Sequence, residues 1–405
     1  MSNTEVMPMS FEPGAALADG TIPLCVPELH GNEWLYVKEC LDTNWVSSAG
    51  PFVSRFEESV ASYVGAKHAV ATVNGTASLH VALIVAGVQP DDEVIMPALT
   101  FIAPANAIRY VGAWPVFIDI EPNHWQLDPQ KVEHFIAKEC QWKGGELRNR
   151  STGRRVKAIL PVDILGHPVD LDPVISLARK FDLSVVEDAT ESLGAKYKGT
   201  RLGQHGDVVC FSFNGNKIIT TGGGGMIVTQ NDSLAERARY LTTQAKDNPI
   251  EYVHLEVGFN YRLTNLQAAV GCAQMEQLDK FVTAKRNIAG DYLHSLADVP
   301  GISAMVEAEW AFSAHWLFTV LIDGKQAGFS RGDLFDSLTN RRIQARPLWQ
   351  PLHRSPAHAM AQAYHVEVAD AIHGAALSLP SSVGLTEEEM ARVVKVIRDR
   401  ARQVA

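Results

Sequence analysis

Residues 69–86 read Ala69-Val70-Ala71-Thr72-Val73-Asn74-Gly75-Thr76-Ala77-Ser78-Leu79-His80-Val81-Ala82-Leu83-Ile84-Val85-Ala86. An apolar run is followed by a short polar turn and then by a stretch of helical length. Residues 69–73 predict a buried strand, Asn74-Gly75-Thr76 a helix start, and residues 77–86 the helix itself. The same alternation continues downstream. Residues 93–96, 115–118, 158–162, 184–186, 208–213 and 226–229 read as strands, and 104–110, 129–139 and 171–181 as helices. Buried strands alternating with helices imply an α/β domain built on a mostly parallel sheet.

Upstream of this block, residues 28–41 carry apolar side chains at helical spacing (Leu29, Trp34, Val37, Leu41), and a second helix follows with Phe52, Phe56, Val60 and Tyr63 on one side. The loop between them, Asn44-Trp45-Val46-Ser47-Ser48-Ala49-Gly50-Pro51, suits either a plain connection or the wall of a polar ligand pocket. Residues 143–157, charged and glycine-containing, predict a surface loop or hairpin. Beyond Thr264 a helical pattern runs to about residue 296, and residues 316–322 predict a strand. Thr386-Glu387-Glu388-Glu389 forms a capping box ahead of a last helix. The C-terminal part therefore reads as a smaller α/β domain, and the first 20 residues, mixing Met, Ser, Pro and Gly, as a flexible arm.

A net charge of −10 argues against a general nucleic-acid binder, yet leaves room for a local basic pocket. The five cysteines are scattered, with no Cys-x-x-Cys pair, and fit reduced thiols rather than metal ligands. The N-terminus lacks the plan of a signal peptide, and no apolar run reaches the roughly 18 residues of a spanning helix. These features predict a cytoplasmic protein with no membrane partner and no bound metal.

Chemistry concentrates at the predicted strand ends. At Asn74-Gly75-Thr76 the first amides of a helix lack internal partners and can hold a phosphate. Phe101, past the strand at 93–96, is either core filler or an aromatic face that stacks on a flat ring. Asp188, closing Val185-Val186-Glu187-Asp188-Ala189, is either a salt-bridged or capping residue or the partner of a heteroaromatic nitrogen, as in pyridoxal 5′-phosphate. Glu191 follows three residues later and can line the same place. Ser212 ends the run Cys210-Phe211-Ser212, and Lys217 follows on the turn Phe213-Asn214-Gly215-Asn216, placed to project an amine into a pocket. Gly222-Gly223-Gly224-Gly225 is not a phosphate loop. It lacks the Gly-Lys-Ser/Thr ending and precedes a strand.

Taken in order and spacing, Asn74-Gly75-Thr76, Thr100-Phe101, Glu187-Asp188-Ala189, Ser212 to Lys217 and Gly258-Phe259-Asn260-Tyr261-Arg262 resemble the DegT/DnrJ/EryC1/StrS family of pyridoxal phosphate-dependent sugar aminotransferases. The run 213–225 is most similar to its LegC-like branch. The resemblance implies a fold-type-I, aspartate aminotransferase-like α/β architecture: a large cofactor-binding domain over residues 21–280 and a small domain over 281–405. It also implies a homodimer with shared active sites. Carried over position by position, Lys217 would bind the cofactor as a Schiff base and move protons, and Asp188 would pair with its ring nitrogen. Phe101 would stack on the ring. Thr76, Ala77 and Ser212 would hold the phosphate, with Asn260 reaching it from the partner, and Gly75, Asn214 and Glu191 would be further cofactor-binding residues. Trp45, Ser47, Ser48, Arg262, Arg346 and His353 would contact the nucleotide-sugar.

The implied reaction is amination of a UDP-linked 4-keto-6-deoxy-N-acetylhexosamine, with L-glutamate as donor, on the way to bacillosamine- or legionaminic-type sugars. One alternative is a GDP- or dTDP-keto-sugar aminotransferase such as a perosamine-type synthase. Another is a non-catalytic module on the same fold. A sugar dehydratase of the family would carry His where this chain has Lys217.

Overall fold

In the computed structural model, which describes residues 20–248 and 250–402, seven strands succeed one another along the first part of the chain. They are β1 (His68–Thr72), β2 (Glu93–Pro97), β3 (Trp114–Ile118), β4 (Val156–Ile159), β5 (Ser184–Asp188), β6 (Val208–Ser212) and β7 (Gly225–Thr229). In space they run β1-β7-β6-β5-β4-β2-β3, and Gln362–Tyr364 adds an edge strand beside β3. Only β7 is antiparallel, to both β1 and β6; the remaining pairings are parallel. The helices Gly75–Val85, Ala103–Tyr110, Pro129–Glu139 and Leu171–Lys180 connect successive strands. Helices on its faces bury the sheet on both sides, which is why its strands are apolar runs rather than alternating ones. Side chains such as Val94, Ile95, Phe117, Ile159 and Phe211 are fully buried, each worth about 1.5–3 kcal/mol relative to exposure.

A second core lies under the C-terminal part. Phe318–Ile322 and Ala376–Leu379 form the middle of a four-stranded sheet with Ile302–Ala304 and Arg346–Pro347 at its edges. The helices Leu278–Leu296, Arg331–Thr339 and Glu387–Arg402 contribute Tyr292, Leu334 and Ile397 to this core. Ile22 joins it from the far end of the chain, through backbone hydrogen bonds with Arg342 and Gln344. The Thr386 capping box is present, with Glu389 Oε2 accepting from the Thr386 amide and Thr386 Oγ1 accepting from the Glu389 amide. The arm expected over residues 1–20 lies outside the described residues except for Gly20.

Several boundaries differ from expectation, each for a local reason. The long helix after Thr264 is two helices, Asn265–Met275 and Leu278–Leu296, separated where the Gln277 amide turns back to the Gln274 carbonyl. The first segment packs against Pro51–Val64 so closely that a Cβ on Gly271 would meet the Phe56 ring at 2.7 Å. The second segment starts in the same core with Leu278, Phe281 and Val282 and passes into the other with Ile288, Tyr292 and Leu296. The helix expected over 28–41 begins only at Glu33, and its Trp34 and Leu41 face outward rather than into the core. The insertion expected at 143–157 starts earlier, as the hairpin Cys140–Lys143 and Glu146–Asn149, and Val156 already belongs to β4. The strand expected at 316–322 starts at Phe318. Trp316 turns elsewhere.

Candidate active site

Three strand exits and one helix entrance converge at the carboxyl edge of the sheet, where ligands collect in open α/β folds. β5 ends on Asp188, β6 on Ser212, the chain leaving β2 reaches Thr100 and Phe101, and the helix Gly75–Val85 starts opposite them. A cavity of ≈ 340 Å³ opens there, with Gly75, Thr76, Phe101, Asp188, Ser212 and Lys217 among its walls. Backbone regularity fixes these positions: Cys210 on β6 is registered with Asp188 on β5. The glycine at 75 is required, because a Cβ there would lie 2.9 Å from Ser212 Cβ and 3.3 Å from Thr190 Cγ2. Asn74 caps the helix by accepting from the Ala77 amide at 2.8 Å. The Gly75 and Thr76 amides remain as first-turn donors with no partner inside the helix.

Lys217 leaves β6 on a turn in which its amide donates to the Asn214 carbonyl at 3.0 Å. Its Nζ lies 3.3 Å from Glu191 Oε1 and 4.2 Å from the centre of the Trp316 ring. Trp316 also donates from Nε1 to the Asn216 carbonyl at 2.6 Å. One indole thus holds both the turn and the ammonium, the latter through the electron-rich ring face. The second oxygen of Glu191 accepts from the Leu165 amide at 2.9 Å. Burial pushes the Glu191 carboxyl up, against the opposing pull of the Lys217 charge and the Leu165 amide. Asp188 is also pushed up by burial, and its hydrogen bonds from Thr190 and the Lys217 charge oppose the shift.

The structure gathers Gly75, Thr76, Phe101, Asp188, Glu191, Ser212, Asn214 and Lys217 around one cavity. Ala77 departs from the expected phosphate set: its amide is engaged by Asn74, and it does not line the cavity. The expected sugar-contacting residues are not brought there within a single chain. Trp45 and Ser47 are exposed and Ser48 is half-buried, on a loop tied down by Asn265, which donates to the Trp45 and Ser47 carbonyls at 2.8 and 2.6 Å. Asn260 is exposed and pairs with Thr243, and Arg262 pairs with Thr72 beside β1. Arg346 lines a separate surface cleft with Thr21 and Arg342. His353 faces Asp370, Nε2 to Oδ1 at 3.3 Å. Sequence reasoning missed Trp316 and Trp349, both in the cavity wall. Their only signal was an unexplained tryptophan near a strand end.

The donor set suits a flat, phosphorylated heteroaromatic ring. A buried carboxylate sits at one end, and a helix entrance cleared of any Cβ, with the Ser212 hydroxyl beside it, sits at another. A lysine lies between, and Phe101, 53% exposed, offers an open ring face. Pyridoxal 5′-phosphate needs these four features.

The comparisons agree with this geometry. The DegT/DnrJ/EryC1/StrS aminotransferase family profile matches residues 27–398. Over 377 residues the chain is 41% identical to the GDP-perosamine synthase of Caulobacter vibrioides, covering 93% of this chain and 97% of that one. It is 35% identical to the GDP-perosamine synthase of Escherichia coli O157:H7, with 93% and 98% covered. The crystal structure of S. venezuelae DesV in complex with a ketimine intermediate superimposes with a TM-score of 0.83 at 33% identity, covering 92% of this chain and 95% of DesV. The chain belongs to the DegT/DnrJ/EryC1/StrS aminotransferase family and is a pyridoxal phosphate-dependent sugar aminotransferase.

Proposed function

We propose that this enzyme aminates a GDP-linked keto-sugar to a perosamine-type amino sugar, with L-glutamate as the amino donor. The observation that carries the choice of nucleotide is the similarity, over 93% of the chain, to two GDP-perosamine synthases at 41% and 35% identity. The LegC-like likeness of residues 213–225 favoured a UDP-linked N-acetylhexosamine; the likeness to the synthases extends over far more of the chain and outweighs it.

Bound in the cavity, pyridoxal 5′-phosphate supplies the electron sink that makes the substrate carbon acidic. The residues have distinct tasks in this reading. Lys217 Nζ holds the cofactor and moves the proton at the reacting carbon. Asp188, shielded from water, keeps the ring nitrogen protonated. The Gly75 and Thr76 amides, with Ser212 and Asn214, hold the phosphate, and Phe101 covers the ring. Glu191 and Trp316 fix the direction of the Lys217 side chain.

Trp45, Ser47, Ser48, Asn260 and Arg262 complete the site from a second copy of the chain, while Arg346 and His353 remain candidates for the nucleotide. Support for a second copy comes from apolar side chains left in the open near these residues. They include Trp34 at 79% and Val257 at 86% exposure, together with Leu41, Ile250 and Leu255. Among the described residues no helix is long and apolar enough to cross a membrane, which fits the cytoplasmic setting that a nucleotide-sugar substrate suggests.

The test is a panel of GDP-, UDP- and dTDP-linked keto-sugars incubated with enzyme and glutamate, with products read by mass. A product mass showing ketone replaced by amine should form fastest from the GDP sugar. Amination confined to UDP-linked N-acetylhexosamines would restore the LegC-like reading.

A further inference from the structure

Two further carboxyl groups lie next to Asp188, and the reaction as described does not use them. Glu187 precedes Asp188 on β5, so its side chain turns to the opposite face of the sheet. Asp163 donates its amide to the Asp188 carbonyl at 3.0 Å. Both side chains are wholly buried, and their carboxyl groups meet. Asp163 Oδ1 accepts from the Val169 amide at 2.8 Å. Asp163 Oδ2 and both Glu187 oxygens have no hydrogen-bond donor among the described residues. The Gly206 amide approaches Glu187 without completing a hydrogen bond. The ionisable groups that bear most on the pair are the two partners themselves and Asp188, a third acid; Lys217 acts on Asp188 instead.

Two ionised carboxylates cannot sit in contact in such a place without a large penalty. A proton between them removes the repulsion and turns one oxygen into a donor for its neighbour. The electrostatics run the same way. Burial, reinforced by the Glu187 charge, lifts Asp163 well above the carboxylate range, and burial pushes Glu187 up to about 7.

We propose that Asp163 and Glu187 share one proton, and thereby hold one negative charge rather than two behind Asp188. They are positioning residues. By limiting the charge at its back, they leave Asp188 ionised and free to face the ring nitrogen. This second step rests on the cofactor reading above; the shared proton itself does not.

The experiment uses the full cofactor-loaded protein and three near-isosteric variants: Asp163→Asn, Glu187→Gln and the double substitution. Infrared spectroscopy at neutral pH should show a protonated-carboxyl C=O stretch in the wild type that disappears in either single variant, because an amide then donates to a lone carboxylate. The pH at which the bound cofactor's visible absorbance titrates should stay put in both single variants, since the charge of the pair is unchanged. It should fall by about one pH unit in the double variant, which removes that charge. No such stretch in the wild type, with both single variants shifting the absorbance titration, would mean two ionised groups and overturn the proposal. A stretch that survives each single substitution and is lost only in the double variant would mean two protonated groups and would overturn it equally. Loss of the stretch with no shift in the double variant would keep the shared proton and reject its action through Asp188. The vibrational signal does not depend on what Lys217 binds, so its failure is separable from failure of the cofactor reading.

Discussion

The floor of the cavity and its rim are built by different means. On the floor, Asp188, Ser212 and Gly75 occupy the last or first positions of regular elements, and backbone ladders fix them to within a residue. At the rim, Trp45, Ser47, Asn260 and Arg262 sit on loops held by a few contacts, and none reaches the cavity of its own chain. The floor is buried and largely satisfied within the chain; the rim is exposed and awaits something to pack on it. In the proposed reading, cofactor chemistry is preorganised by one chain alone, whereas substrate selection is left to parts that a second chain or a substrate must order.

The sharpest way to break this picture is at the floor. Lys217→Ala should lower turnover by at least about 10³-fold and abolish the visible absorbance of lysine-bound cofactor. Fold and cofactor affinity should suffer less, because Asp188 and the phosphate cradle stay in place; circular dichroism and cofactor titration distinguish the two. Wild-type turnover in this variant would remove Lys217 from the reaction. Next in size is Gly75→Ala. Its Cβ would press on Ser212 and Thr190, an overpacking that costs about 1–3 kcal/mol and, expressed at the phosphate, about 10–100-fold in cofactor affinity. Equilibrium dialysis of the cofactor checks this, and unchanged affinity would mean that the phosphate sits elsewhere.

This contrast also explains what the sequence could reveal. The strands β1 to β7 were legible because parallel strands buried on both faces must be apolar runs, and Asp188, Ser212 and Lys217 stood out because polar groups at the ends of such runs need a reason. Trp316 did not stand out. Its role depends on Leu278–Leu296 and the chain after it folding back over the turn at Asn216, a contact 100 residues apart in sequence. The apolar spacing over 28–41 predicts a helix, yet Trp34 and Leu41 point outward, since spacing reports that a face is apolar and not what covers it. The break at Gln277 was invisible for a similar reason: both halves are good helix, and only the local turn of the Gln277 amide to the Gln274 carbonyl separates them.

The rim is tested by moving it between chains. Asn260→Ala should lower activity about 10-fold while leaving the absorbance of the lysine-bound cofactor in place. Mixing equal amounts of Asn260→Ala and Lys217→Ala protein, after dissociation and reassociation, should restore about a quarter of wild-type activity, because half the symmetric dimers are hybrids with one intact site of two. No recovery above the residual activity of the two parents would place Asn260 and Lys217 in the same chain's site, or outside it altogether.

The smallest effect belongs to the seam between floor and rim. Glu191 binds the Leu165 amide with one oxygen and Lys217 with the other, so it links the reactive amine to the loop following β4. In Glu191→Gln the carboxamide oxygen can keep the Leu165 contact, and only the charge beside Lys217 is lost. Removing an anion disfavours the protonated form of a neighbouring cation. The pH at which the bound cofactor's absorbance titrates should therefore move downward, by about one unit. Turnover at neutral pH should change only a few-fold, because the geometry around Lys217 is also held by Trp316, 4.2 Å from the amine. No movement would show that Glu191 is itself neutral in the loaded enzyme, and would hand the task of balancing the Lys217 charge to Asp188.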